Sequence, residues 1–455
     1  MKARSLHLFR RAKSKKFVRD TAVMQLAALM TVMAYAGTSV MISRHLGDEQ
    51  VGRWGAAREL YSMVFVTLTS GLLQVSVARY AKAVGAQRRD EALATLAALL
   101  KLFLISSLLV LLVGVAWAPA FAEAQYGDRQ VGVIAAILCA SGFGEALKSP
   151  MVVALRGARA MGDYARFEIG INAVRLVLIA VVVALGFGLL GVMWAFVAHS
   201  AVVAVWSLVI FNRLQHSKKA HKPPPLREIL AAVPRASVRS LIGTAYFLSL
   251  FKVMHTMIPR LGNVIIPMAG ITLAGSFGEG GHFYVAGVAA LALRMLCSAV
   301  TQTLMPALGL KLGGTDTPFE DMGHLILKVT LVSGLCVSLV AALSIPVMTV
   351  AFDSIWGPEF ADAAEYYPWL ALGAVLTAFS VAVEPFYIYS GKMSFALRQN
   401  IVLFVASIAM IVTAATTYGP KGVAVATGLA PGLAVFHLVY IWWYFHRAAA
   451  KRADS

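Results

Sequence analysis

Long apolar runs alternate with short polar breaks from residue 20 to residue 445. Twelve runs stand out: 20–43, 56–80, 93–117, 131–153, 167–186, 189–212, 251–277, 283–309, 323–350, 363–389, 396–417 and 421–445. Each is long enough to cross a hydrocarbon core of about 30 Å as a helix. The runs are continuously apolar rather than alternating, which predicts helices and not barrel strands. The expected fold class is therefore all-α, a polytopic membrane protein with about twelve transmembrane helices. Composition agrees: the 455 residues are 59% hydrophobic and only 14% charged, too little polar surface for a soluble chain of this length.

Charge sets the expected orientation. Residues 1–19 carry eight Lys/Arg ahead of the first run. That run is too long for the apolar region of a signal peptide, and no obvious cleavage site follows, so a retained basic tail is expected. With both termini inside, segments 1–19, 81–92, 154–166, 213–250, 310–322, 390–395 and 446–455 hold 26 Lys/Arg. The opposite turns, at 44–55, 118–130, 187–188, 278–282, 351–362 and 418–420, hold three. This asymmetry is what the positive-inside rule predicts, and it puts both termini on the cytoplasmic side of the membrane. The net charge of +18 then needs no nucleic-acid partner. Basic juxtamembrane residues instead favour anionic lipid headgroups.

Glycine turns reveal a repeat. "GDEQVG" at 47–52 recurs as "GDRQVG" at 127–132, in the same setting between apolar runs. Over a longer interval, Gly47 matches Gly278, Gly127 matches Gly357, and "GLLGVMWA" from 188 matches "GPKGVAVA" from 419, at offsets of 231, 230 and 231. A constant offset predicts two tandem six-helix halves of the same orientation, related by a pseudo-two-fold along the membrane normal. The expected organisation is a basic tail (1–19), an N-terminal half (20–212), a basic linker with a lead-in helix (213–250), a C-terminal half (251–445) and a short tail (446–455). "HSKKAHKPPPLREI" at 216–229 marks the linker.

Most soluble chemistry is excluded. Cys139, Cys297 and Cys336 all fall inside runs, with neither disulfide nor metal spacing. "GFGLLG" at 186–191 matches a dinucleotide fingerprint by letters, but it joins two membrane spans and follows no strand. No zinc spacing, nucleophile elbow or phosphate loop occurs, so neither a catalytic group, a metal nor a cofactor is expected.

Charged residues inside the runs carry the functional signal, because they are costly in lipid and usually point inward. Arg79, Lys101, Lys148, Lys328 and Arg398 lie near the cytoplasmic ends, where snorkelling explains them. Arg58, Glu59 and Glu365 lie near the other face. Arg175, Lys252, Arg260 and Arg294 are deeper. Arg294 shares a helix face with Ser298, Thr301 and Gln302, and no acid lies within one turn of it. Glu168, Asn172 and Arg175 form a second stripe, in which Glu168 either pairs with Arg175 to join helices or leaves it as a functional cation. The substrate-facing set is thus Arg294, Arg175, Arg260, Lys252, Arg58, Ser298 and Gln302. Glu168, Glu145 and Glu384 remain as coupling or paired carboxylates, for a proton or sodium gradient that the sequence does not identify.

Three stretches resemble a known family. "SRHLGDEQVGRWGAARELY" (43–61) resembles the first external loop of the Wzx-like polysaccharide flippases, in the multidrug/oligosaccharidyl-lipid/polysaccharide superfamily. "FYVAGVAALALRM" before "LMPAL" (283–308) resembles the eighth helix of that family, and "FDSIWGPEFADAAEYYPWLALG" (352–373) its ninth-to-tenth turn. The resemblance runs in order over nearly the whole chain. It implies a transporter, not an enzyme, that turns undecaprenyl-diphosphate-linked oligosaccharide from the cytoplasmic to the outer leaflet for polysaccharide or lipopolysaccharide synthesis. Implied partners are that lipid-linked substrate and, in the same pathway, a polysaccharide polymerase and chain-length regulator. The stretch 236–277, broken by Pro259 and Pro267, departs from a single span and leaves the depth of Lys252 open. A MATE-like cation or drug exporter is the alternative; it calls for a buried carboxylate, and the interior of the first span has none. A polysaccharide polymerase is a further one, but the external turns are short for a membrane enzyme.

Overall fold

The computed structural model describes residues 2–69, 71–158, 160–216, 222–239, 241, 257–268, 276–314 and 322–453; among these, the side chains of 2–21, 64, 66–68, 298–314, 324 and 448–453 are left aside. Among the described residues fifteen α-helices run in chain order and no strand occurs. The N-terminal half comprises α1 (Lys2–Thr69), α2 (Leu72–Gly85), α3 (Arg89–Tyr126), α4 (Arg129–Cys139), α5 (Gly142–Gly157), α6 (Met161–Ala184) and α7 (Gly188–His216). After the short α8 (Leu226–Ala232) come α9 (Leu261–Ile265), α10 (Phe277–Gly314), α11 (Gly323–Ala351), α12 (Ala363–Ala378), α13 (Val383–Ser390), α14 (Met393–Leu429) and α15 (Val435–Ala453). Among the described residues, nine helical stretches are long and apolar enough to cross a membrane. One of them, Met393–Arg447, holds two of the expected spans, and Ala22–Met63 holds the first span and the start of the second, which continues into α2. Every expected span except the seventh therefore has its helix. Of 251–277, only 257–268 and 276–277 are described, as a 3-10 turn at Ile258–Arg260, the short α9 and the first residue of α10.

The basic tail, residues 2–19, is helical and runs on into the first span. The turns at 44–55 and 118–130 are far shorter than expected, because helix persists up to and almost directly after a single special glycine. At Gly47 (φ 78°, ψ 171°) the chain reverses between two helical stretches of α1. At Gly127 (φ 67°) α3 ends, and Asp128 then caps α4 by accepting the Gln130 N–H at 2.9 Å. Positive φ is accessible to glycine without a Cβ clash, and the Asp cap satisfies an otherwise orphaned donor. The two "GDxQVG" turns also meet in space: Arg53, just after the first, pairs with Asp128 of the second at 2.8 Å.

The long-range repeat has a local counterpart in the backbone. Gly188 and Gly419, 231 residues apart in sequence, have φ of 63° and 65°. Gly191 and Gly422, three residues after each, abut the side chain four residues before them; an added Cβ would lie 2.3 Å from Phe187 Cβ or 2.7 Å from Tyr418 Cβ. Gly127 and Gly357 likewise both take positive φ. The Gly47–Gly278 match is weaker, since only Gly47 does so.

Buried apolar side chains divide the molecule into two ends. At one end a single core joins both halves, with Ile42, Trp54, Ile134 and Val192 packed in one cluster with Phe283, Phe352, Tyr367 and Ala424. At the other end the cores separate. Tyr80, Leu96, Val153 and Phe211 belong to the N-terminal half's cluster, and Ile326, Phe386 and Ile441 to the C-terminal half's. We refer to these as the closed end and the split end. On the outside, Leu335, Leu339, Leu343 and Val347 form an exposed stripe along α11 at four-residue spacing, as expected of a lipid-facing helix rather than a water-facing one.

The closed end is sealed by close helix crossing. A Cβ added at Gly52 would lie 1.7 Å from the Phe277 carbonyl oxygen, and one added at Gly281 would lie 2.3 Å from the Asp48 carbonyl oxygen. Missing side chains thus let the backbones of α1 and α10 touch, the usual route to tight packing between membrane helices. Polar links reinforce the seal. Trp356 Nε1 donates to Ser39 Oγ at 3.1 Å, and Arg44 donates to the carbonyl oxygens of Ile355, at 2.7 Å, and Ser354.

Candidate functional site

Just inside the seal, guanidinium groups from both halves converge. The N-terminal half contributes Arg58 from the second stretch of α1 and Arg175 from α6. The C-terminal half contributes Arg260, from the turn before α9, and Arg294 from α10. Tyr35 lies at the centre, with Arg175 Cζ 4.1 Å and Arg58 Cζ 4.8 Å from its ring centroid. The Arg260 charge also reaches Tyr35, and Arg260 and Arg294 act on each other electrostatically. Guanidiniums above a tyrosine face recover part of the hydration they lose on burial.

The partners of each arginine differ. Arg58 donates to Tyr284 Oη at 2.8 Å, and Trp54 Nε1 donates to the same oxygen at 3.0 Å. Trp54 and Arg58 are one helical turn apart and so reach a common target. Arg260 pairs with Glu59 at 3.1 Å and also donates to Ser62 Oγ. Arg175 is 6% exposed, and its Nε and Nη2 are buried without a hydrogen-bond partner. Arg294 is half-buried and has no ion pair or hydrogen bond among the described residues. Four guanidiniums set against the carboxylate of Glu59 leave an excess of three positive charges. Unspent buried N–H donors are costly unless something accepts from them. The arrangement is chemically suited to a polyvalent anion.

Two sequence expectations change here, and a third is extended. Arg58, named in the substrate-facing set although near the outer face, lies in the cluster together with Glu59, because the helix after Gly47 starts at once and carries both inward. Glu168 does not pair with Arg175. It pairs with Lys148 at 3.4 Å, as does Glu145 at 3.5 Å, so these carboxylates share one ammonium. Lys148 is accordingly no snorkelling residue, with its side chain only 14% exposed. Asn172 of the same stripe donates to Thr31 Oγ1 at 3.1 Å and joins α6 to α1. Lys252 lies outside the described residues, as do the side chains of Ser298 and Gln302.

Tyr35 and Tyr284 were not anticipated, since a tyrosine inside an apolar run carries no periodic signal of its own. The i, i+4 spacing of Trp54 and Arg58 was the readable hint at Tyr284. A second buried polar group in the C-terminal half was also missed. There His437 contacts Tyr387 Oη at 2.9 Å and Asn400 Oδ1 at 2.7 Å. Glu384 lies one turn before Tyr387 on α13. No group of His, Cys, Asp and Glu among the described residues has the makings of a metal site.

No sequence-family profile matches the chain, and no curated protein matches it. Solved structures do. The chain is similar to the eukaryotic MATE transporter AtDTX14, with a TM-score of 0.71 at 16% identity over 96% of this chain and 99% of that one. It is also similar to the inward-facing conformation of a multidrug resistance MATE family transporter of the MOP superfamily, with a TM-score of 0.66 at 16% identity over 96% and 100%. An outward-facing MATE structure gives a TM-score of 0.62 at 17% identity, over 96% of each chain. The fold is thus that of the MATE transporters, a multi-pass helical membrane protein of two tandem bundles.

Proposed function

We propose that this protein is a transporter that carries undecaprenyl-diphosphate-linked oligosaccharide across the cytoplasmic membrane by alternating access of its two halves. The observation that carries this reading is the guanidinium cluster, drawn from both halves and holding unspent donors at Arg175 and Arg294. A diphosphate offers several charged oxygens, and arginine forks bind such groups in bidentate fashion. No bond is made or broken, so the site needs positioned charge rather than a nucleophile. Basic residues concentrated on the split end's segments support a reading in which that end faces the cytoplasm and the closed end faces outward. Single cysteines at Gln50, Gln130 and Ala361 are therefore expected to react with an impermeant thiol reagent added outside; labelling from the cytoplasmic side alone would reverse this orientation.

The second reading, a cation or drug exporter, is favoured by the likeness to a multidrug resistance transporter. Its natural carboxylates in the N-terminal half, Glu145 and Glu168, are both engaged by Lys148, which weakens their pull on an external cation. Purified protein in liposomes separates the two readings. Translocation of a lipid-linked diphosphate oligosaccharide, measured by its exposure to an external glycosidase, supports the flippase. Gradient-driven efflux of a lipophilic cation, with no movement of the lipid-linked sugar, would overturn it.

A further inference from the structure

The second turn of α10 holds a buried histidine whose polar atoms have no hydrogen-bond partner. His282 is 8% exposed, and neither Nδ1 nor Nε2 makes a hydrogen bond. A carboxylate oxygen stands off each nitrogen at the same distance: Asp48 Oδ2 is 3.9 Å from Nε2, and Glu279 Oε2 is 3.9 Å from Nδ1. Glu279 shares the helix with His282, whereas Asp48 follows Gly47 on α1, in the other half. Phe360 closes another side with its ring centroid 5.8 Å away, edge to face.

The neighbouring charges leave these carboxylates to the histidine. From α1, Arg53 is engaged by Glu49 at 3.0 Å and Asp128 at 2.8 Å. From α14, Lys421 is engaged by Glu365 of α12 at 2.6 Å and reaches Glu279 only at longer range. Tyr366 of α12 donates to Glu279, and Glu359, from the turn before α12, adds another negative charge near Gly47. A neutral imidazole has one N–H and one lone pair. Between two acceptors it can satisfy one side only, and its lone pair faces a carboxylate. An imidazolium has an N–H for each side.

We propose that His282 is a proton-binding site in the outer seal, where the imidazolium clasps Asp48 of one half to Glu279 of the other. The clasp sits at the crossing where Gly281 meets the Asp48 backbone, so it can form only while α1 and α10 are in contact. Protonation therefore favours the state closed to the outside, and loss of the proton releases it. Binding to one conformation shifts the equilibrium by the difference in affinity alone. A charge-assisted bond of ordinary strength makes that shift on the order of tenfold. The inference concerns the gate and does not depend on which cargo is carried.

The test uses the full chain in lipid nanodiscs without cargo. The exposed Cys336 is replaced by serine, and spin labels are placed at Gln130 and Ala361, both exposed at the closed end. Interlabel distances are measured at about pH 5.5 and about pH 8. The expected result is a short-distance population that grows on acidification by on the order of tenfold, and no such response in His282→Gln. Asp48→Asn, which keeps the histidine and its fold, should blunt the response as well. A chain insensitive to pH, or a His282→Gln variant that keeps the full response, would overturn the proposal; should that variant fail to insert, an unaltered response in Asp48→Asn would do the same.

Discussion

Replacing Arg294 by alanine is expected to abolish export while leaving the protein in the membrane at normal level. Arg294 sits 17 residues into α10, about 26 Å along its axis at 1.5 Å per residue. It has no ion-pair or hydrogen-bond partner among the described residues. Its removal therefore strands no neighbour and costs little stability. A charged side chain at mid-membrane costs about 2.5–3.5 kcal/mol on insertion scales, so alanine should, if anything, ease insertion. On the proposed reading, what is lost is a phosphate contact, about 10- to 100-fold in substrate affinity for a charge-assisted bond. Arg294→Lys should retain part of the activity, because a point charge cannot reproduce the fork. Arg294→Glu should be worse than alanine, since it opposes the anion and cancels more of the cluster's excess charge. Complementation of surface-polysaccharide export in a flippase-deleted strain, with protein level checked in parallel, makes the comparison. Full export by the Glu variant would remove Arg294 from the site.

Gly281→Val should have a comparable effect by a wholly different route. The first added carbon already lies 2.3 Å from the Asp48 carbonyl oxygen, inside any allowed contact, and valine adds two methyl groups beyond it. Backbone cannot rotate away as a side chain can, so α1 and α10 must separate. The closed end then stays open, and on the proposed reading a protein held in one state does not cycle. Gly287→Ala, on the same helix, is the control: nothing lies within 4 Å of its Cβ position, and alanine improves helix propensity by about 1 kcal/mol. The expected outcome is lost export with lengthened Gln130–Ala361 separation in the valine variant, and neither change in the alanine control. Normal export by Gly281→Val would show that the tight crossing is dispensable.

The helices were legible because lipid permits little else: a run of apolar residues this long must satisfy its own backbone bonds. The turns were legible as glycines, although their brevity was not, since hydropathy averages over windows wider than a one-residue reversal. Arg175, Arg260 and Arg294 could be singled out from cost alone. Their assembly could not, because nothing in one span states which face of another it meets. Lys148 shows the same limit from the other side. Its place near a span end implied a side chain reaching for water, yet Glu145 and Glu168 hold it within the protein. Sequence depth measures distance along one helix, whereas this pairing depends on how two helices meet.

Gly47 has a bearing on tolerance to length changes. Loops usually accept insertions and deletions because spare residues absorb them, but here helix resumes directly after one glycine. An inserted residue after Gly47 has no slack to enter and would advance the following stretch by one step, about 100° around its axis. Arg58 and Glu59 would then turn away from Tyr284 and Arg260, while Gly52 would leave its seat against Phe277. A single codon gained or lost at this point disables seal and site together, although every residue of both is still encoded.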